Sequence, residues 1–203
     1  MWVVKLGGSL QQHPAHLEAW LEVLQAQGSG TAVVVPGGGV FAEQVREAQN
    51  RYGFNDKVAH NMALLAMEQY GYMLTGLAPA LKPCTTMNQI CSAISANRLP
   101  LWLPSHMIVE NSALPASWAV TSDSLALWLA GELGAQGIFL VKSAPLPAGA
   151  TSADLATAGL VDEYLPEIHR TNNIPLYWLC SDEASLMRAI LRREIPPKRP
   201  VVP

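Results

Sequence analysis

A chain of 203 residues, half of them hydrophobic and 14% charged, can bury a substantial core as one domain and is too apolar for disorder. Its formal net charge of −3 leaves no basic footprint, so nucleic acid is not an expected partner. No apolar run reaches the roughly 18 residues that span a bilayer, so no membrane partner is expected either.

The chain enters a strand carrying Lys5 at once, which argues against a signal peptide. Cys84, Cys91 and Cys180 are odd in number and lack C-x-x-C spacing, so they read as reduced thiols in a cytoplasmic protein. His13 and His16 share a helix face, but no third ligand lies nearby in sequence, and a protein-held metal is not expected.

Trp2 to Leu6 reads as a strand, with Gly7-Gly8-Ser9 as its exit. Pro14 suits the first turn of a helix whose Leu17, Trp20, Leu21 and Leu24 recur at helical spacing. Gly28 to Gly30 ends that helix, and Thr31 to Val35 is a second strand, parallel to the first through a right-handed crossover. Pro36 and the glycines Gly37, Gly38 and Gly39 stop it. Such a run is either a plain tight turn or a place where backbone N–H groups approach a phosphate. Helices follow over about 40–50 and 56–74, the second offering Val58, Met62, Leu65, Met67 and Tyr70 for packing. The polar segment from Arg51 to Lys57 is either a simple connection or a flap over a substrate.

Pro83 to Thr86 breaks the pattern before a helix over 87–97 and a short strand at Leu101-Trp102-Leu103. Residues 106–117 look irregular, with a strand and hairpin as one reading. Thr121-Ser122-Asp123-Ser124 opens a helix running to Leu133, with Ser122 as the natural cap and Asp123 in the first turn. Gly137 to Val141 is a buried strand ending at Lys142-Ser143. Residues 144–158 are read as a surface loop, 160–168 as a short helix, 175–179 as a strand and 182–193 as a helix, before a proline-rich tail at 196–200. Strands alternating with helices predict a three-layer αβα sandwich with a mainly parallel central sheet.

Four polar signals fall at strand ends or helix starts: Lys5 with Gly7, Gly8 and Ser9; Gly37 to Gly39; Thr121-Ser122-Asp123; and Lys142-Ser143. Ligands of open α/β sheets gather at the carboxyl ends of the strands. Glycine amides and two lysines can offset charge on a moving phosphoryl group, while a carboxylate fixes the lysines or holds Mg²⁺. There is no G-x-x-x-x-G-K-[ST] and no H-R-D set, so neither a P-loop nor a protein-kinase fold is expected.

VVKLGGSL (3–10), VVVPGGGVF (33–41), TSDSLALWLA (121–130), GIFLVK (137–142) and NNIPLYWL (172–179) occur in the order seen in the amino acid kinase superfamily, which the chain resembles over nearly its whole length. The resemblance implies an ATP-dependent phosphotransferase in which Lys5 bridges the transferred group, Gly8 and Gly38 hold donor and acceptor, and Asp123 organises the lysines. It implies an ATP and Mg²⁺ site at Lys5, Gly7, Gly8, Ser9, Ser122, Lys142 and Ser143. It also implies a small phosphorylated acceptor at Gly37, Gly38 and Gly39, and an assembly of identical chains.

The run AHNMALLAMEQYGYML (59–74) is similar to the branch that phosphorylates [5-(aminomethyl)furan-3-yl]methyl phosphate in methanofuran biosynthesis. For such an acceptor, Phe41 or Tyr52 is expected to face the ring, and Asn55 or Asp56 the ammonium. Specificities of the uridylate, isopentenyl phosphate or amino acid type stay open, as does a non-catalytic nucleotide-binding module. A carboxylate acceptor would call on Arg46 or Arg51. The chain departs from better-known members at 152–165, which holds no lysine where they carry a second one.

Overall fold

The computed structural model describes residues 1–109, 111–198 and 200–203. The chain runs β1 (Trp2–Leu6), a 3₁₀ turn (Gly8–Gln12), α1 (Pro14–Gln27), β2 (Ala32–Pro36), α2 (Gly39–Tyr52), α3 (Asp56–Leu77), β3 (Leu81–Cys84), α4 (Met87–Ser95) and β4 (Leu99–Trp102). It continues through α5 (Ser105–Ile108), α6 (Ser122–Glu132), β5 (Gly137–Lys142), α7 (Ser152–Thr157), α8 (Leu165–Asn172), β6 (Leu176–Cys180) and α9 (Ala184–Leu191). The six strands form one sheet in the order β3-β4-β2-β1-β5-β6, and every pairing is parallel.

Strands buried on both faces explain the unbroken apolar runs of β2 and β5. One core, containing Val3, Val35 and Leu140, packs against α6 and α8; the other, containing Val4, Leu6 and Val141, packs against α1 and α9. The two-residue period of β1 therefore sends Lys5 to the face of Val3, the face that α6 covers. Helix α3 serves both sides. Leu64 and Met67 belong to the first core, Tyr70 and Leu74 to the second. A Cβ on Gly71 would meet Leu101, Leu103 and Pro36, so the helix crosses the sheet at the carboxyl ends of β2 and β4. Along its outer face Val58 and Leu65, expected to pack, are instead exposed, together with Tyr72 and Leu77.

The register sets the site. Leu6 pairs with Pro36 on one side and Val141 on the other, so Gly7, Gly37 and Lys142 leave the sheet side by side. The chain turns to opposite sides of β1 for β2 and β5, which makes this edge the switch point of the topology.

Several expectations are corrected. Leu81–Cys84 is an edge strand, where Pro83 is tolerated because one side needs no partner. Within 106–117 the irregular reading prevails over the strand and hairpin, with the short α5 and turns, and Glu110 lies outside the described residues. The expected loop contains α7, and the next helix begins at Leu165, five residues later than expected. In the tail, Arg199 lies outside the described residues.

Candidate active site

Lys5 and Asp123 meet because β1 and α6 bring them to the same face of the sheet, each almost wholly buried. Lys5 Nζ lies 2.8 Å from Asp123 Oδ1, and Lys142 Nζ donates to Asp123 Oδ2 at 2.5 Å. Lys142 also donates to the carbonyl of Leu160 at 2.7 Å. Burial alone would raise the pKa of Asp123, but Lys142 and Lys5 outweigh it and hold the carboxyl at about 2. Burial pushes the Lys5 ammonium below its ordinary value, more than Asp123 restores, with Lys142 adding to the drop. Asp123 is therefore an anion committed to two cations and a poor base near neutral pH.

The first turn of α6 is not capped by Ser122. Its N-cap is Thr121, and the hydrogen bonds come from elsewhere in the chain. Asp162 Oδ2 accepts from Thr121 N at 3.0 Å and Ser124 N at 2.8 Å, and Asp162 Oδ1 accepts from Thr121 Oγ1. Asp162 is itself half-buried. Burial and the nearby Asp123 raise its pKa against these bonds.

The two glycine turns pack backbone on backbone. A Cβ at Gly8 would overlap the amide of Gly39, and one at Gly37 would lie 2.5 Å from Gly8 N. Gly39 has φ of +54°, a left-handed conformation that disfavours any side chain, and Gln11 Oε1 accepts from Val40 N beside it at 3.0 Å. Gly38 and Gly39 open α2, where the first N–H groups lack partners within the helix and suit an anion. A side chain at Gly38 would strike Ala42 in its own helix. Gly8 is thus the tighter test of this contact. Gly8→Ala is expected to drive the turns apart and raise KM for both substrates, while circular dichroism stays that of the parent. An unchanged KM for both would show the contact to be dispensable.

Lys5, Gly8, Ser9, Gly38, Gly39, Ser122 and Asp123 line a cavity of about 280 Å³, whose remaining wall includes Glu43, Arg46, His60, Leu64, Met67 and Trp118. Asp123 also faces a neighbouring cavity of about 370 Å³ with Lys142, Leu160 and Asp162. Ser143 joins the first turn through Ser9, with Oγ to Oγ at 2.7 Å. Gly7 lies behind, its amide donating to Val141 O at 3.2 Å. A larger hollow of about 620 Å³ lies beside Trp2, Thr31 and Gln136, at the amino edge of the sheet and away from all these groups.

Asn55 and Asp56 do not reach the cavity. Asn55 caps α3 by accepting from Val58 N at 3.0 Å, and Asp56 accepts from Gln49 at 2.8 Å. Tyr52 is 73% exposed, and Phe41 packs among core residues. Arg51 is exposed and absent from the cavity wall. Other polar groups line that wall. The Arg46 guanidinium stacks on Trp118 at 3.7 Å from the ring centre, and Trp118 Nε1 donates to Gln49 Oε1 at 2.6 Å. His60 Nδ1 lies 3.2 Å from the Ser117 carbonyl, to which it donates. Burial lowers the pKa of His60. The sequence signal for Glu43 and Arg46 was their place on α2, one and two turns after the glycines. Trp118 had none, because it comes from a stretch without pattern.

No group of three His, Cys, Asp or Glu side chains among the described residues is placed to hold a metal ion. A divalent cation at this site would have to be held largely by substrate phosphates.

The whole architecture superposes on that of uridylate kinase from Archaeoglobus fulgidus, with a TM-score of 0.69 over 94% of this chain and 95% of that one at 15% identity. The fold is that of the amino acid kinase superfamily. Aspartate kinase from Synechocystis shares the amino acid kinase fold at a TM-score of 0.68 and 14% identity, covering all of this chain and 40% of that one. In sequence, the chain is 27% identical over 140 residues to the [5-(aminomethyl)furan-3-yl]methyl phosphate kinase of Methanocaldococcus jannaschii. That match covers 69% of this chain and 64% of the relative's length. No protein-family profile matches the chain.

Proposed function

We propose that the chain is an ATP-dependent phosphotransferase acting on a small acceptor that already carries a phosphate. The observation that supports it most is the buried Lys5–Asp123–Lys142 array beside two interlocked glycine turns. Two ammonium groups and free helix-start amides are suited to a phosphoryl group that spreads charge over its oxygens in the transition state.

The commitment of Asp123 to both lysines bears on the acceptor. With the carboxyl held at about 2, this aspartate is ill suited to take a proton from a hydroxyl. A phosphate monoester needs no such base, because its second pKa is about 6 and its oxygen is an anion near pH 7. That oxygen forms the new bond to the γ-phosphorus as the bond to the β–γ bridging oxygen breaks, and ADP leaves. Mg²⁺ bound with the nucleotide would supply charge neutralisation to the phosphates. In this reading Lys5 faces the first cavity and Asp123 both, Lys142 and Ser143 attend the donor side, and the Gly38 and Gly39 amides hold the acceptor's phosphate.

The acceptor class that fits the wall best carries an anionic end, a flat ring and a cationic group. Arg46 answers the first, Trp118 and the Leu64–Met67 surface the second, and Glu43 the third. Within that class the reading commits to [5-(aminomethyl)furan-3-yl]methyl phosphate, converted to its diphosphate, supported by the 27% identity with a kinase of that substrate. The experiment is a coupled ADP-release assay with this compound, UMP, isopentenyl phosphate and aspartate as rival acceptors. The furan phosphate is expected to give the highest kcat/KM. Arg46→Met is expected to raise its KM by about 10-fold or more, as a charge-assisted bond to phosphate is worth roughly 1.5–3 kcal/mol. Turnover with UMP alone would reassign the acceptor, and no ADP release with any of them would sink the reading.

A further inference from the structure

Two neighbouring backbone features tie residues 159–162 to the ionic array. Gly159 takes φ of +68° just after α7, with its amide donating to Ala156 O and that of Leu160 donating to Leu155 O, both at 2.9 Å. This is the double-bonded helix ending that a left-handed glycine permits. It delivers the Leu160 carbonyl to Lys142 Nζ at 2.7 Å. Two residues later Asp162 accepts the amides of Thr121 and Ser124, which bracket Asp123 in the first turn of α6. A carboxylate from outside the helix thus does the work usually done by the cap residue.

We propose that Asp162 is a positioning residue for phosphoryl transfer: it sets the α6 turn so that Asp123 meets Lys5 and Lys142 together, while Leu160 in the same short segment steadies Lys142. This rests on the reading of the site as a phosphotransferase. It also makes a claim about geometry that holds without any substrate. Phosphoryl transfer depends chiefly on placement, and a misplacement of about 1 Å can cost 10²-fold in rate.

The charged groups around Asp123 are Lys5 from β1, Lys142 from β5 and Asp162 from the α7–α8 segment. This gives the test a discriminating sign. Deleting the negative charge of Asp162 would, by itself, lower the pKa of Asp123 further. A rise in that pKa, against this sign, reports lost contact with the lysines, whose charges hold it down. Asp162→Asn keeps an oxygen that can accept both amides, whereas Asp162→Ala removes the cap.

The experiment titrates the Asp123 carboxyl by ¹³C NMR in full-length protein, assigned by comparison with Asp123→Asn, and measures kcat and KM well below each variant's Tm. Asp162→Ala is expected to raise the Asp123 pKa from about 2 toward the ordinary value near 3.9, and to cut kcat by about 10²-fold with little change in KM. Asp162→Asn is expected to keep the low pKa and stay within a few-fold of the parent rate. Should Asp162→Ala fail to fold, Thr121→Val, which removes the hydroxyl bond to Asp162, carries the same comparison at smaller amplitude. An Asp162→Ala protein that melts earlier yet keeps both the Asp123 titration and kcat would overturn the proposal. Loss of all turnover in the parent would count against the phosphotransferase reading instead, with the NMR titration still deciding the role of Asp162.

Discussion

Lys5→Ala is expected to lower kcat by about 10²–10³-fold while the affinity for ATP stays within a few-fold, the result for a group that acts mainly on the transition state. Lys5 is buried in the wall of the first cavity, so no water-exposed cation can replace it. Lys5→Arg should not restore the rate. A planar guanidinium is wider than an ammonium, and the side chain is enclosed by Val35 and Leu140 on the neighbouring strands and Asp123 above. Pre-steady-state quench kinetics with both substrates saturating would isolate the chemical step. A variant with parental kcat would remove Lys5 from the mechanism.

Asp123→Asn should affect rate and stability together. Replacing the shared carboxylate leaves the buried Lys5 ammonium and the half-buried Lys142 ammonium facing a neutral amide. Removal of one partner of a buried ion pair typically costs about 3–5 kcal/mol. An exposed first-turn carboxylate would be worth only about 0.3–1 kcal/mol through the helix dipole. The difference is readable by urea unfolding.

Its pH dependence has a definite sign. The folded-state pKa of Asp123 is depressed to about 2. The stabilisation is therefore complete above the unfolded value near 3.9 and lost as pH falls from about 4 through 2. The gap in unfolding free energy between parent and Asp123→Asn should narrow by about 2.6 kcal/mol over that window. A gap independent of pH would mean that the carboxylate is not held by the lysines.

Much of the architecture was legible because its signals are local. The valines of β2, the helical stripe of α1 and the glycines after β1 and β2 each declare an element within a few residues. The convergence of Lys5, Asp123 and Lys142 was foreseeable because strand ends and helix starts mark the ligand edge of a parallel sheet. What escaped depended on partners far along the chain. Asp162 caps a helix that begins 40 residues earlier, and the natural local candidate, Ser122, concealed it. Trp118 owes its place to Arg46 and Gln49, which no periodicity foretells. Helix α7 is a different kind of miss. Thr151-Ser152-Ala153-Asp154 is a capping box and Gly159 a helix stop, both present in the sequence but masked by surrounding prolines and alanines. Asn55 and Asp56 erred the other way, because polar residues near a glycine turn also serve as ordinary helix-start groups.

The passage of α3 from one core to the other limits how the site can open. Leu64 and Met67 are anchored on one side of the sheet, Tyr70 and Leu74 on the other, and all four are buried. To swing one helical layer against the sheet would pull apolar side chains of the same rigid rod out of both. Entry and exit of ligands must then fall to segments that bury little. Residues 145–149, beyond Lys142, are all exposed, and Asn111, Ser112 and Ala113 precede the Trp118 segment with no buried side chain among them. The breathing of this molecule belongs to its loops, on either side of a scaffold that stays shut.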